Sequence, residues 1–188
     1  MTEPASAPPP GERYAAAVSR GDITRDPAQQ ETLQALDRLH QALPPPPRQG
    51  VLDRLRGRVP EPPKGLYVWG GVGRGKTYLI DLFFDGLPFE EKRRTHFHRF
   101  MREVHAQLRL HAGESDPLAS IARQWRRNLR VLVLDEFFVN DIGDAMLLGR
   151  LLERMFAEGV ALVTSSNIPP KELFKDGLQR ERFLPAIA

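Results

Sequence analysis

The stretch GGVGRGKTYLI, Gly70 to Ile80, crowds glycines in front of a lysine, a threonine and an apolar run. It fits G-x-x-x-x-G-K-[ST] through Gly70, Gly71, Val72, Gly73, Arg74, Gly75, Lys76 and Thr77. The context also fits. GLYVWGG before it reads as a short strand, and Thr77 to Phe84 continues as a helix ending near Gly86. Glycines let a loop curl so that its backbone N–H groups converge on a polyphosphate, where a side chain would block the approach. The helix that follows adds the positive end of its dipole. Lys76 is placed to reach the β- and γ-phosphates of ATP, and the Thr77 hydroxyl to ligate Mg2+.

A phosphate loop binds nucleotide; turnover needs a second element. VLVLDEF ends an apolar strand in Asp135 and Glu136. An apolar run of this kind is buried on both faces, as in a parallel sheet, and such sheets gather ligands at the carboxyl ends of their strands. Asp135 is the expected Mg2+ ligand, directly or through water, and Glu136 the residue that orients and polarises the attacking water. LVTSSN supplies a third strand tip, where Asn167 is a candidate sensor of the γ-phosphate or of the water. NIPP, which overlaps it, is also a turn signal.

The rest of the chain bounds the reading. Its 188 residues carry a formal charge of only +3, too little to point to nucleic acid by itself. The absence of cysteine excludes disulfides, thiolate metal sites and cysteine nucleophiles. The N-terminus, MTEPASAPPPGERY, has an acid and prolines where a secretory signal has basic and apolar residues, and no run of about 18 apolar residues occurs. A cytoplasmic protein without a membrane span is expected.

Residues 1–64 read as a proline-rich region, with PASAPPP, LPPPPRQG and VPEPPKG as tail and spacers. One amphipathic helix lies within it, DPAQQETLQALDRLHQAL, striped by Leu33, Leu36, Leu39 and Leu43. From 65 to 188, strands alternate with helices, which predicts an α/β, three-layer P-loop core with a parallel sheet. THFHRF reads as a strand that turns helical through MREVHAQLRLH. DPLASIARQWRRNL is a helix capped by Asp116, and GDAMLLGRLLERMFAEG another.

Lesser features have two readings each. His96 and His98 share a strand face, but no further ligand completes a metal site. Phe100 and Met101 fit either a pore-facing loop or the core of the next helix. Trp125, among arginines, fits base stacking or burial. Phe137 and Phe138 fit either a second pore loop or a cover over the nucleotide.

LYVWGGVGRGKTYLIDLFF, HFHRFMREVH, VLVLDEFFVNDIGDAMLLGRL and SSNIPPKELFKDGLQRERFLPAI together resemble the AFG-like ATPases, from about residue 12 to 188. The resemblance implies an AAA+ P-loop ATPase using ATP and Mg2+, with Walker A at Gly70–Thr77, Walker B at Asp135 and Glu136, and sensor 1 at Asn167. It implies a cytoplasmic protein that in bacteria is associated with the division ring and FtsZ polymers, and in mitochondria with protein quality control. In GLQRERF it offers Arg180, ahead of Arg182, as the finger that reaches a neighbouring subunit, and hence a homo-oligomer, a hexamer. It further implies a last core strand and a small helical lid beyond the FLPAI at which this chain closes. The leading function is remodelling of a protein assembly such as FtsZ polymers. The competing ones are a DNA-acting ATPase of the helicase-loader kind and a nucleotide-dependent binding module without turnover.

Overall fold

The computed structural model describes residues 8–43 and 65–175. Four strands, β1 (Leu66–Trp69), β2 (Lys92–His96), β3 (Val131–Asp135) and β4 (Ala161–Ser166), form one sheet in the order β1-β4-β3-β2. Every pairing is parallel, with Trp69 opposite Ser166, Leu134 opposite Thr164, and His96 opposite Asp135. All four strands therefore finish at one edge of the molecule, where the ligand-binding crevice of an open α/β sheet lies.

The alternation within VLVLD divides the core. Val131 and Val133 join Leu79, Ile80 and Phe83 on one face, while Leu132 and Leu134 join Phe100, Val104, Ile121 and Leu148 on the other. The first face is covered by α1 (Pro10–Arg20), α2 (Gln30–Ala42) and α3 (Lys76–Gly86), the second by α4 (Phe97–Leu110), α5 (Pro117–Arg126) and α6 (Ile142–Ala157). A strand sandwiched this way shows no polar positions until its tip, because both faces lose water. Asp116 caps α5 through Ala119 N, and Asp141 caps α6 through Asp144 N.

Several elements differ from the sequence reading. Among the described residues before 64 there is an α-helix besides the expected one; α1 begins with Pro10 at its first turn, buries Ala17 and packs Tyr14 with the leucines of α2. The strand expected in THFHRF is KRRTH, and Phe97 already belongs to a helix. Phe100 and Met101 are 1% and 3% exposed inside the second core, so they are packing residues and not a pore loop. Trp125 is packed as well, its ring 5.5 Å from that of Phe100.

β2, a strand without apolar residues, is fastened by charge. Arg93 forms a fork-to-fork pair with Glu103 of α4, with 2.8 Å for the Nη1 arm. Hydrogen bonding to Arg93, opposed by burial, holds the Glu103 carboxyl below its ordinary pKa. A depressed carboxylate adds stability that is complete above the unfolded-state pKa and is lost as pH falls through the folded-state value. Both side chains are about one-third exposed, so we expect the pair to contribute less than about 1 kcal/mol. Urea denaturation of wild type and Glu103→Gln should therefore differ at neutral pH and converge in acid; a constant difference would contradict this account.

Candidate functional site

The glycine loop leaves β1 at Trp69 and is stitched to β4 where Gly70 N donates to Ser166 O at 3.2 Å. Gly73 and Gly75 both have φ of 77°, the left-handed conformation that glycine tolerates best. At Gly75 a second constraint acts: an added Cβ would stand 2.4 Å from Gln29 Nε2. The Gln29 amide donates to Arg74 O at 3.0 Å, so the residues just before α2 brace the loop from outside. Helix α3 then opens at Lys76 with Gly75 as its N-cap, which has no side chain to satisfy the first N–H groups.

Lys76 turns back into the loop. Its ammonium donates to Gly70 O at 2.7 Å, to Gly71 O at 2.8 Å and to Asn167 Oδ1 at 2.9 Å. Partial burial lowers its pKa. These bonds join the residue after β4 to the helix after β1, so two motifs that lie 91 residues apart meet at one cation. Asn167 sits at a bend too, where Ile168 N donates to Ser166 Oγ and Tyr67 OH donates to Ile168 O. The residue expected as a sensor thus stands in the bend that NIPP marks.

Asp135 ends β3 beside this loop. Its Oδ2 accepts from Arg94 Nε at 2.6 Å, and its Oδ1 accepts from Ser165 Oγ at 3.2 Å. Arg94 also pairs with Asp81 of α3. Glu136 is the next residue, with φ of 55°, a left-handed conformation in a non-glycine residue. The local bonds explain it: Phe137 N donates to Ser165 O at 2.7 Å and Glu136 N to Ser165 Oγ at 3.2 Å. This turn drives Phe137 into the core, at 1% exposure, and leaves the Glu136 carboxylate in solvent, 3.7 Å from His96 Nδ1. Phe138 stays exposed. The His96 and His98 rings stack on each other, 5.9 Å apart.

The donor set suits a magnesium triphosphate: a glycine loop with open space around Gly70 and Gly73, an uncapped helix start, an ammonium, and the oxygens of Thr77 and Asp135, hard ligands of the kind Mg2+ selects. Arg180 and Arg182 lie outside the described residues. Arg94, Asp81 and Ser165 were not singled out in the sequence. Asp81 carries one local signal, standing four residues after Thr77 and thus on the same side of α3.

Parallel strands in this order, with a glycine loop between β1 and α3 and acids at the tip of β3, define a P-loop ATPase fold of the AAA+ class. Solved structures agree: domain III of the Thermotoga maritima replication initiation protein DnaA has a TM-score of 0.60 at 16% identity, over 88% of this chain and 61% of that one. AMPPCP-bound DnaA from Aquifex aeolicus has a TM-score of 0.56 at 13% identity, over 86% and 45%. Residues 9–188 match the family profile described as AFG1-like ATPase, and the chain belongs to that family. The cell division protein ZapE of Escherichia coli K12 is 49% identical over 190 residues, 95% of this chain and 51% of that protein. The chain thus spans about half the length of this relative.

The left-handed backbone at Glu136 generates a stability test. Alanine normally outranks glycine, but a positive φ reverses the order, and we expect Glu136→Gly to be more stable than Glu136→Ala by about 1 kcal/mol. Paired thermal melts check this, and the usual order would mean that the turn is not held in that conformation.

Proposed function

We propose that this chain binds ATP with Mg2+ and hydrolyses it, and that the energy drives rearrangement of a protein assembly. The observation that carries the proposal is the Lys76 ammonium, within hydrogen-bond reach of both the glycine loop and Asn167. A γ-phosphate is the ligand chemistry that would take over an ammonium held this way, since an anion competes well against neutral carbonyls.

In this reading the backbone N–H groups of the loop and the start of α3 hold the phosphates, and Lys76 exchanges its carbonyl partners for the β- and γ-oxygens. Thr77 and Asp135 hold Mg2+, which when bound neutralises charge developing on the phosphate oxygens. Glu136, exposed at the strand tip 3.7 Å from His96 Nδ1, accepts a hydrogen bond from the attacking water and aligns it. Asn167 reads the γ-phosphate. Arg180 is the finger offered to a neighbouring copy, which calls for a homo-oligomer, a hexamer in the family pattern.

The substrate reading rests on kinship. The Escherichia coli relative is a cell division protein by name, and the AFG-like resemblance points to FtsZ polymers. Cytoplasmic location goes with that reading; among the described residues, no helix is long and apolar enough to cross a membrane.

Fluorescent ATP-analogue binding and phosphate release test the roles separately. Lys76→Ala should abolish binding. Glu136→Gln should keep affinity and lower turnover by about a hundredfold or more, because a group that acts on the water acts mainly in the transition state. Asn167→Ala should lower turnover by a similar factor if it contacts the transferred phosphoryl group. Equal loss of binding in all three variants would remove the assignment. FtsZ polymers should stimulate phosphate release. Stimulation by single-stranded DNA instead, falling steeply with salt, would favour the DNA-acting alternative, and binding without release would leave a nucleotide-dependent binding module.

A further inference from the structure

Arg94 stands on β2 between carboxylates supplied by two other elements. Its Nε donates to Asp135 Oδ2 at 2.6 Å and its Nη2 to Asp135 Oδ1 at 3.3 Å. Its Nη1 pairs with Asp81, on the helix that the glycine loop opens. With Ser165 Oγ on Oδ1 at 3.2 Å, both oxygens of Asp135 are occupied by the chain's own donors. The Arg94 side chain is only 21% exposed. Burial works against its charge, but the hydrogen bonds and charges of Asp135 and Asp81 outweigh that cost and raise its pKa above the ordinary arginine value. It is a permanent cation at the place where a metal ligand is needed.

The local charge sum follows. Asp81 and Asp135 contribute two negative charges and Arg94 returns one positive charge, so the cluster carries a net −1. A bare divalent ion approaching Asp135 must displace a bonded guanidinium and meets its repulsion at close range. Without Arg94, the same carboxylates would present a net −2 and attract a divalent ion by themselves. A metal carried by a triphosphate brings compensating negative charge with it, and the contest at Asp135 changes. Arg94 also has somewhere to go: it is already bonded to Asp81, so leaving Asp135 does not strand a partly buried charge, the step that makes breaking such pairs costly.

We propose that Arg94 is the resident counter-ion of Asp135, released onto Asp81 when metal arrives with nucleotide, so that the site takes divalent cation together with ATP and not before it. The inference rests on the assignment of Asp135 given above, and it makes Arg94 a positioning residue that acts through Asp135.

The test uses Mg2+ alone and fluorescent ATP analogue as separate probes on the full chain. Thermal unfolding of the wild type should be insensitive to Mg2+ without nucleotide, whereas Arg94→Met should gain a Mg2+-dependent rise in Tm with no nucleotide present. The Mg2+ concentration that half-supports analogue binding should fall about tenfold in Arg94→Met and rise about tenfold in Asp81→Asn. Affinity for the analogue without Mg2+ should stay unchanged in Asp81→Asn. Arg94→Lys, which keeps a charge but not the fork, should resist Mg2+ alone as the wild type does. A wild type stabilised by Mg2+ alone, or an Arg94→Met with the wild-type response to both probes, overturns the proposal. If Arg94→Met does not fold, Asp81→Asn decides: an unchanged Mg2+ requirement overturns it. Failure of the underlying ATP reading looks different, since the wild type would then bind no analogue at any Mg2+ concentration.

Discussion

The fold depends on the complete removal of β3 from water. Val131 to Leu134 are fully buried, two pointing into each core, and helices are therefore required on both sides of the sheet. Burying four such side chains contributes on the order of 1.5–3 kcal/mol each, an upper figure because an unfolded chain already hides some of that surface. The strand can tolerate a charge only where it emerges, at Asp135. The position of the acid is thus a consequence of core formation, and because all strands run the same way, the ends of β1, β2 and β4 arrive beside it.

What gathers there is a set of charges that satisfy one another without a ligand. Lys76 is held by carbonyls and by Asn167, Asp135 by Arg94 and Ser165. Neither the cation nor the carboxylate is left bare in a partly dry crevice, where an unpaired charge would weigh heavily on folding. In the proposed function these partners are the ones exchanged, neutral oxygens for phosphate and, at Asp135, a guanidinium that keeps its second acceptor, Asp81. Glu136 differs: its backbone is fixed by Ser165 while its carboxylate stands exposed with only His96 Nδ1 near it, at 3.7 Å, an arrangement that suits the water-orienting role proposed for it.

The motifs that are continuous in sequence are legible in the sequence itself. Gly70–Thr77, Asp135, Glu136 and Asn167 each sit at the junction of a strand with a loop, a place that hydrophobic runs and glycines mark locally. The Arg94 cluster was not legible. Asp81, Arg94 and Asp135 are 13 and 41 residues apart, and only the register that sets Arg94 opposite Val133 brings them together. The position of β2 is not legible either, because KRRTH is held by ion pairs at the sheet's margin and shows no apolar period. α1 is hidden in the sequence because its proline-rich approach reads as a spacer and its buried face consists of Pro10, Tyr14 and Ala17.

Trp69, at the tip of β1, is 55% exposed and is bonded covalently to the first glycine of the phosphate loop. The chain's other tryptophan, Trp125, packs against Phe100 behind the sheet. An indole half in solvent is sensitive to the dielectric around it, while a packed one is largely indifferent to events across the molecule. The molecule thus carries its own optical reporter at the mouth of the crevice, and its emission would register occupancy of the loop without any attached dye.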